Sequence, residues 1–224
     1  SKDPRVATAP IKHIVNDDIT ASEDGISLIT SHTSKSNITV ISALKDVFSI
    51  QAKFSELIVE KNEYSKLSVI FDLSRGQVLE FNRYCSFADS IRYTLPKESA
   101  LNALSDALAL GFCTLAQEQK SYMDKFWSEA SVNIEGDAKL SLALSFNLYQ
   151  LLQSVAKDEY GHIAAKGLSG EGYEGHYFWD TEIYVQPFFT LVYPELSRTL
   201  LTWRYRILPF ARDNAKQLNH KKGV

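Results

Sequence analysis

The 224 residues suffice for one large domain or two small ones, and 45% are hydrophobic, enough for a real core. The 24 Lys and Arg against 27 Asp and Glu give a net charge of -3, without the basic stripe that marks a nucleic-acid partner. No uninterrupted apolar run reaches the roughly 18 residues of a membrane span, and no basic-then-apolar signal segment opens the sequence, which begins with Ser1 rather than an initiator Met.

The first part reads as strands. Asn16 to Asp24 is polar enough to be a loop. Ile26 to Thr30 and Ile38 to Ile50 are rich in Ile, Val, Thr and Phe, and the polar Ser31 to Asn37 separates them. Leu67 to Leu73 nearly alternates, Ser74-Arg75-Gly76-Gln77 reads as a turn, and Val78 to Tyr84 as the return strand of a hairpin. The pattern points to an antiparallel sheet or sandwich.

At Pro96 the period changes. Leu101, Leu104, Leu108, Phe112 and Leu115 share one helical face, and a second helical stretch covers Ser121 to Glu129. Ser131 to Gly136 reads as a linker. Asp137 is placed to cap a third helix with the apolar face Leu140, Leu144, Leu148, Leu151 and Val155. Lys157 to Trp179 is a long loop with five glycines, a length that is often functional. A fourth helix is expected from Asp180. A fifth runs from Pro194 towards Asn219, broken or kinked at Pro209. Strands first and helices afterwards imply successive structural layers rather than alternating β and α. Cys85 and Cys113 form neither a C-x-x-C pair nor a zinc spacing and are expected to be reduced, buried thiols in a reducing compartment.

The chemistry concentrates in the long loop. Gly170-Glu171-Gly172-Tyr173-Glu174-Gly175 matches G-x-G-x-x-G, but it follows a helix and no strand comes after it, so a dinucleotide site is not expected. The glycines suit a tight path or a close approach to a ligand. In His176-Tyr177-Phe178-Trp179-Asp180-Thr181-Glu182, Asp180 has two readings. It caps the next helix, or its carboxylate accepts two sugar hydroxyls while Trp179 supplies a flat apolar wall. His162 and His176 lack further His or Cys at ligand spacing, so no metal is expected. Glu171, Glu174 and Glu182 are each possible general acids, a role that needs burial to raise the pKa.

Phe146 to Ser154, Ile163 to Tyr173 with its Lys-Gly-Leu-x-Gly-Glu-Gly-Tyr run, and the Phe-Trp-Asp-Thr-Glu-Ile run from Phe178 resemble the disaccharide phosphorylases of glycoside hydrolase family 65, the maltose, trehalose and kojibiose phosphorylase family. Phe126 to Ala130 and Glu195 to Asn219 add to the resemblance; Pro209 and Asn219 depart from it locally. It implies a β-sandwich, a helical linker and an (α/α)6 barrel. Residues 1–95 would be the later part of the sandwich, 96–136 the linker and 137–224 the first barrel helices. Trp179 and Asp180 would bind the glucosyl unit. The catalytic Glu and the phosphate-binding residues would lie beyond Val224, so no catalytic residue is expected here and the 224 residues alone are expected to be inactive. The implied reaction is inverting phosphorolysis of maltose or a related glucosyl-glucose. The partners would be the disaccharide and inorganic phosphate as co-substrate, without cofactor, nucleic acid or membrane, in a cytoplasmic homodimer. An acid-trehalase-type hydrolase and a non-catalytic sugar-binding fragment are the alternatives.

Overall fold

The computed structural model describes residues 13–22, 24–60, 63–168 and 176–220. The chain divides into two compact units, one within Ala9–Gln119 and one within Lys120–Val224.

The first unit holds six strands: β1 (Ile14–Ala21), β2 (Ile26–Thr33), β3 (Thr39–Phe48), β4 (Phe54–Glu60), β5 (Tyr64–Ile70) and β6 (Phe81–Asp89). They form a four-stranded antiparallel sheet in the order β1-β2-β3-β6 and a two-stranded antiparallel sheet, β4-β5. The two sheets meet where Ser65 Oγ donates to Ser27 Oγ at 3.1 Å. Strands followed by helices are therefore observed as expected.

Two local expectations fail. The polar segment from Asn16 is not a loop but most of β1. It is an edge strand, where polar side chains face water and blunt further pairing. A register shift at Asn16/Asp18 bulges the strand, and Asp17 then meets His32 Nδ1 at 2.7 Å. The expected hairpin across Ser74–Gln77 does not form either. The turn exists, closed by Gln77 N–H to Ser74 C=O at 3.0 Å. But β5 pairs backwards with β4, in the register Phe54↔Ile70, and β6 pairs with β3, in the register Ile41↔Ala88. Alternation shows that a strand exists, not which edge it joins.

Helix α1 (Pro96–Ala130) joins the two predicted helical stretches into one element, broken at Gly111 (φ 76°, ψ 163°). Only glycine adopts this conformation without strain. Before the break, Ala100 and Leu104 are buried with Leu28, Ile41, Ala43 and Ala88, and Leu101 and Leu108 pack beside them. Beyond it, Phe112 is 61% exposed, because the break takes it off the face that Leu101, Leu104 and Leu108 share. By length and composition α1 would also pass for a membrane span. The count of uninterrupted apolar residues missed this, since isolated polar residues punctuate the helix. Cys85 and Cys113 are free, as expected, but both are exposed. Cys85 lies on the side of β6 that also carries the exposed Phe81 and Phe87, opposite the side holding buried Ser86 and Ala88.

In the second unit, α2 (Ala138–Ser154) is followed by a loop, a π-helical turn (Thr181–Val185), α3 (Gln186–Val192) and α4 (Pro194–Gln217). Phe126, Ala130, Leu148, Leu152, Val155, Ile163, Phe189, Leu196 and Leu200 form its core. On the predicted α2 face, Leu148 and Val155 are buried and Leu144 and Leu151 pack against them, while Leu140 is 51% exposed. Helix α4 continues through Pro209 without a break. Asp137 caps α2 as expected, its Oδ1 accepting from Leu140 N–H at 2.9 Å. Asp137→Ala leaves that N–H without its cap and is expected to cost about 1 kcal/mol, read as a lower urea midpoint at unchanged slope.

Candidate functional site

The loop after α2 is tied down at several points. Ser154 Oγ donates back to Gln150 C=O at 2.7 Å. Gly167 (φ +59°) comes so close to Ser154 that a Cβ at this position would lie 2.5 Å from its Oγ. The close approach therefore requires glycine at a position counted only as one of five in the sequence. Ala165 N–H donates to His176 C=O at 3.0 Å and brings the two flanks of the glycine-rich run together. The run itself, with Glu171 and Glu174, lies outside the described residues.

After His176 the chain forms a hydrogen-bonded turn. Thr181 N–H donates to Phe178 C=O at 3.2 Å, and Glu182 and Ile183 N–H to Trp179 C=O at 3.0 and 3.3 Å. The helix expected from Asp180 starts there, but its first turn, Thr181–Val185, is π-helical. Asp180 is itself in helical conformation (φ -53°, ψ -32°) and makes no side-chain cap bond. The cap reading is thus overturned: a capping carboxylate needs an extended backbone to fold back on the first turn. Asp180 is exposed, and no hydrogen bond occupies its carboxylate among the described residues. Trp179 beside it is 67% exposed. Phe178, Ile183 and Tyr184 are exposed as well, so the carboxylate sits among apolar, largely aromatic surface.

The ground beneath this surface is densely packed. Tyr177 meets Trp203 of α4 edge-on, with centroids 4.7 Å apart and planes at 82°. The His162 ring lies 4.9 Å from Tyr177 and 4.6 Å from Trp203, and its Nδ1 is buried without a hydrogen-bond partner. The Arg204 guanidinium stacks 4.0 Å from the Tyr177 centroid and grips Glu182 with both arms, Nε to Oε1 and Nη2 to Oε2, the latter at 2.6 Å. With both oxygens taken by Arg204, Glu182 is an anchor rather than a free acid. Behind it, buried Gln186 donates from Nε2 to Ser197 C=O at 2.9 Å, and the Thr190 and Ser197 hydroxyls meet at 2.8 Å, joining α3 to α4. Among the described residues no three His, Cys, Asp or Glu side chains are grouped to hold a metal ion.

The structure thus places Trp179 and Asp180 together on an ordered turn. The sequence reading passed over Trp203 and Arg204, because their partners lie about one turn of loop and two helices away along the chain.

An antiparallel β unit is thus followed by a helical unit whose loop carries the exposed Trp179 and Asp180. The model of the glycosyl hydrolase family 65 N-terminal domain matches residues 1–126, and that of the family 65 central catalytic domain matches residues 145–224. The chain belongs to glycoside hydrolase family 65. It is 40% identical over 224 residues to the alpha,alpha-trehalose phosphorylase of Geobacillus stearothermophilus, covering 99% of this chain and 28% of that protein. It is 36% identical over 230 residues to the kojibiose phosphorylase of Caldanaerobacter subterraneus subsp. tengcongensis, covering 99% of this chain and 29% of that one. A solved structure from the human microbiome shares the fold with a TM-score of 0.71 at 24% identity. It covers 91% of this chain and 27% of its own. The chain thus spans under a third of the length of these relatives.

Among the described residues of this unit two titratable groups are displaced, Tyr122 upward and Lys157 downward, both by burial. Burial pulls the Lys157 ammonium, which donates to Leu152 C=O, down to about 8 from 10.5. Between these values the unfolded chain holds more protons than the folded one, so stability rises with pH across the window. Below about pH 8 the fold bears the full cost of the buried charge. Relative to Lys157→Met, the wild type is expected to gain stability from pH 8 to 10.5. Paired urea titrations at the two ends check this; parallel midpoints would refute it.

Proposed function

We propose that this chain is part of an inverting disaccharide phosphorylase acting on an α-linked glucosyl-glucose, and that Trp179 and Asp180 bind the glucosyl unit. The carrying observation is the unengaged Asp180 carboxylate beside the exposed Trp179 indole, on a turn that its own backbone hydrogen bonds hold in place. A carboxylate accepts from two neighbouring hydroxyls, and an aromatic face covers the apolar face of a pyranose. That geometry fixes the ring while leaving the proton transfers to other groups.

In this reading phosphate replaces the base-activated water of an inverting glycosidase. It is already an anionic nucleophile, so a single general acid serves the leaving oxygen. Asp180 takes no part in proton exchange. Its bonds to hydroxyls tighten as the ring flattens towards an oxocarbenium ion, which lowers the barrier rather than only KM. The relatives' names support phosphorolysis of trehalose or kojibiose, and maltose stands beside these as the third candidate. The general acid and the phosphate site would lie in sequence beyond these residues.

The test compares the 224 residues with the polypeptide extended to the length of its relatives, each given phosphate with maltose, trehalose or kojibiose. Glucose 1-phosphate from the longer form alone is the expected result. Glucose release independent of phosphate would make the protein a hydrolase instead. In the longer form, Asp180→Asn is expected to lower kcat/KM about 10- to 100-fold, the worth of one or two charge-assisted hydrogen bonds. Its Tm should stay unchanged, because that carboxylate makes no hydrogen bond within the described chain. A fall in Tm with kinetics intact would reassign Asp180 to structure.

A further inference from the structure

Neither Trp179 nor Asp180 anchors itself: one is 67% exposed and the other makes no cap bond. A site that must hold a sugar to within a fraction of an ångström needs its support elsewhere. The residues that bracket the pair supply it. Tyr177 precedes Trp179 by two positions and Glu182 follows Asp180 by two, and both engage one guanidinium. Arg204 lies 4.0 Å over the Tyr177 ring and holds both oxygens of Glu182. The pair is about two-thirds buried on each side, so it is better shielded from solvent than an ordinary surface ion pair. Trp203 and His162 wall the Tyr177 ring from its other sides and leave little room for it to rotate. Ile163, buried in the core at 7% exposure, fixes His162 in turn.

We propose that Arg204 is a positioning residue for sugar recognition: it clamps the segment around Trp179 and Asp180 to α4 through Tyr177 on one side and Glu182 on the other. This rests on the reading of Trp179 and Asp180 as the glucosyl-binding pair. The clamp depends on the shape of the group as well as its charge. A planar fork bonds two carboxylate oxygens and at the same time lies flat on a ring, which an ammonium cannot do. Arg204→Lys therefore keeps the charge and most of the stem while removing the geometry.

The test uses the polypeptide extended to the length of its relatives, with phosphate and whichever of maltose, trehalose and kojibiose it cleaves. Arg204→Lys and Glu182→Gln are expected to lower kcat/KM for the disaccharide about 10- to 100-fold, as expected from a misplacement of about an ångström. Amide exchange at Thr181, Glu182 and Ile183, whose N–H groups close the turn, should accelerate in both variants. The double variant Arg204→Glu with Glu182→Arg should recover part of kcat/KM, since the pair is re-formed with reversed sign. If Arg204→Lys lowers Tm but leaves kcat/KM and turn exchange at wild-type values, Arg204 is merely structural and the proposal is overturned. If exchange accelerates with kcat/KM unchanged while Asp180→Asn lowers it, the clamp exists but does not position the sugar, and the proposal is again overturned. If Asp180→Asn also leaves kcat/KM unchanged, the fault lies in the glucosyl-binding reading itself.

Discussion

The contact between Arg204 and Glu182 is the point through which the loop and the helical core communicate. A segment that leads out of a long loop loses conformational entropy when it is held in one conformation. Weak surface contacts would not hold it. Here an ion pair with two hydrogen bonds, a stacked guanidinium and three interlocked rings converge on a few residues either side of Trp179. The exposed groups can stay exposed because the buried ones beneath them do the holding.

That support extends inward. Gln186 follows the π-helical turn directly and is locked to Ser197 of α4, and Phe189, three residues on, has no exposed surface. The widened helical turn between them brings the exposed pair and the buried anchor into successive turns of one segment. Such turns are uncommon and recur at functional sites, because one extra residue per turn re-aims what precedes it.

The β unit has no part in this arrangement among the described contacts. Its own order comes from α1 lying on the four-stranded sheet, with Ser86 Oγ donating to Ala100 C=O at 2.7 Å in a buried position. Beyond the break at Gly111, α1 contributes Phe126 and Ala130 to the helical core. Its two parts therefore serve different cores.

Much of this was legible from residues alone where the cause is local. The Asp137 cap, the switch from strands to helices at Pro96 and the adjacency of Trp179 and Asp180 depend on neighbours within a few positions. Helix existence was legible; continuity was not, since Pro209 was expected to break or kink its helix and does not break it, whereas Gly111, within residues expected to share one helical face, does. Strand partners, the exposure of Cys85, the π-helical turn and the Arg204 clamp came only from the tertiary structure. Each depends on which distant surface a segment meets, and an alternating strand or an isolated Arg is compatible with many such surfaces. The family resemblance pointed to Trp179 and Asp180 as the pair proposed for sugar contact. Glu182 and Arg204 lie 22 positions apart, where no spacing rule within a helix or strand reaches.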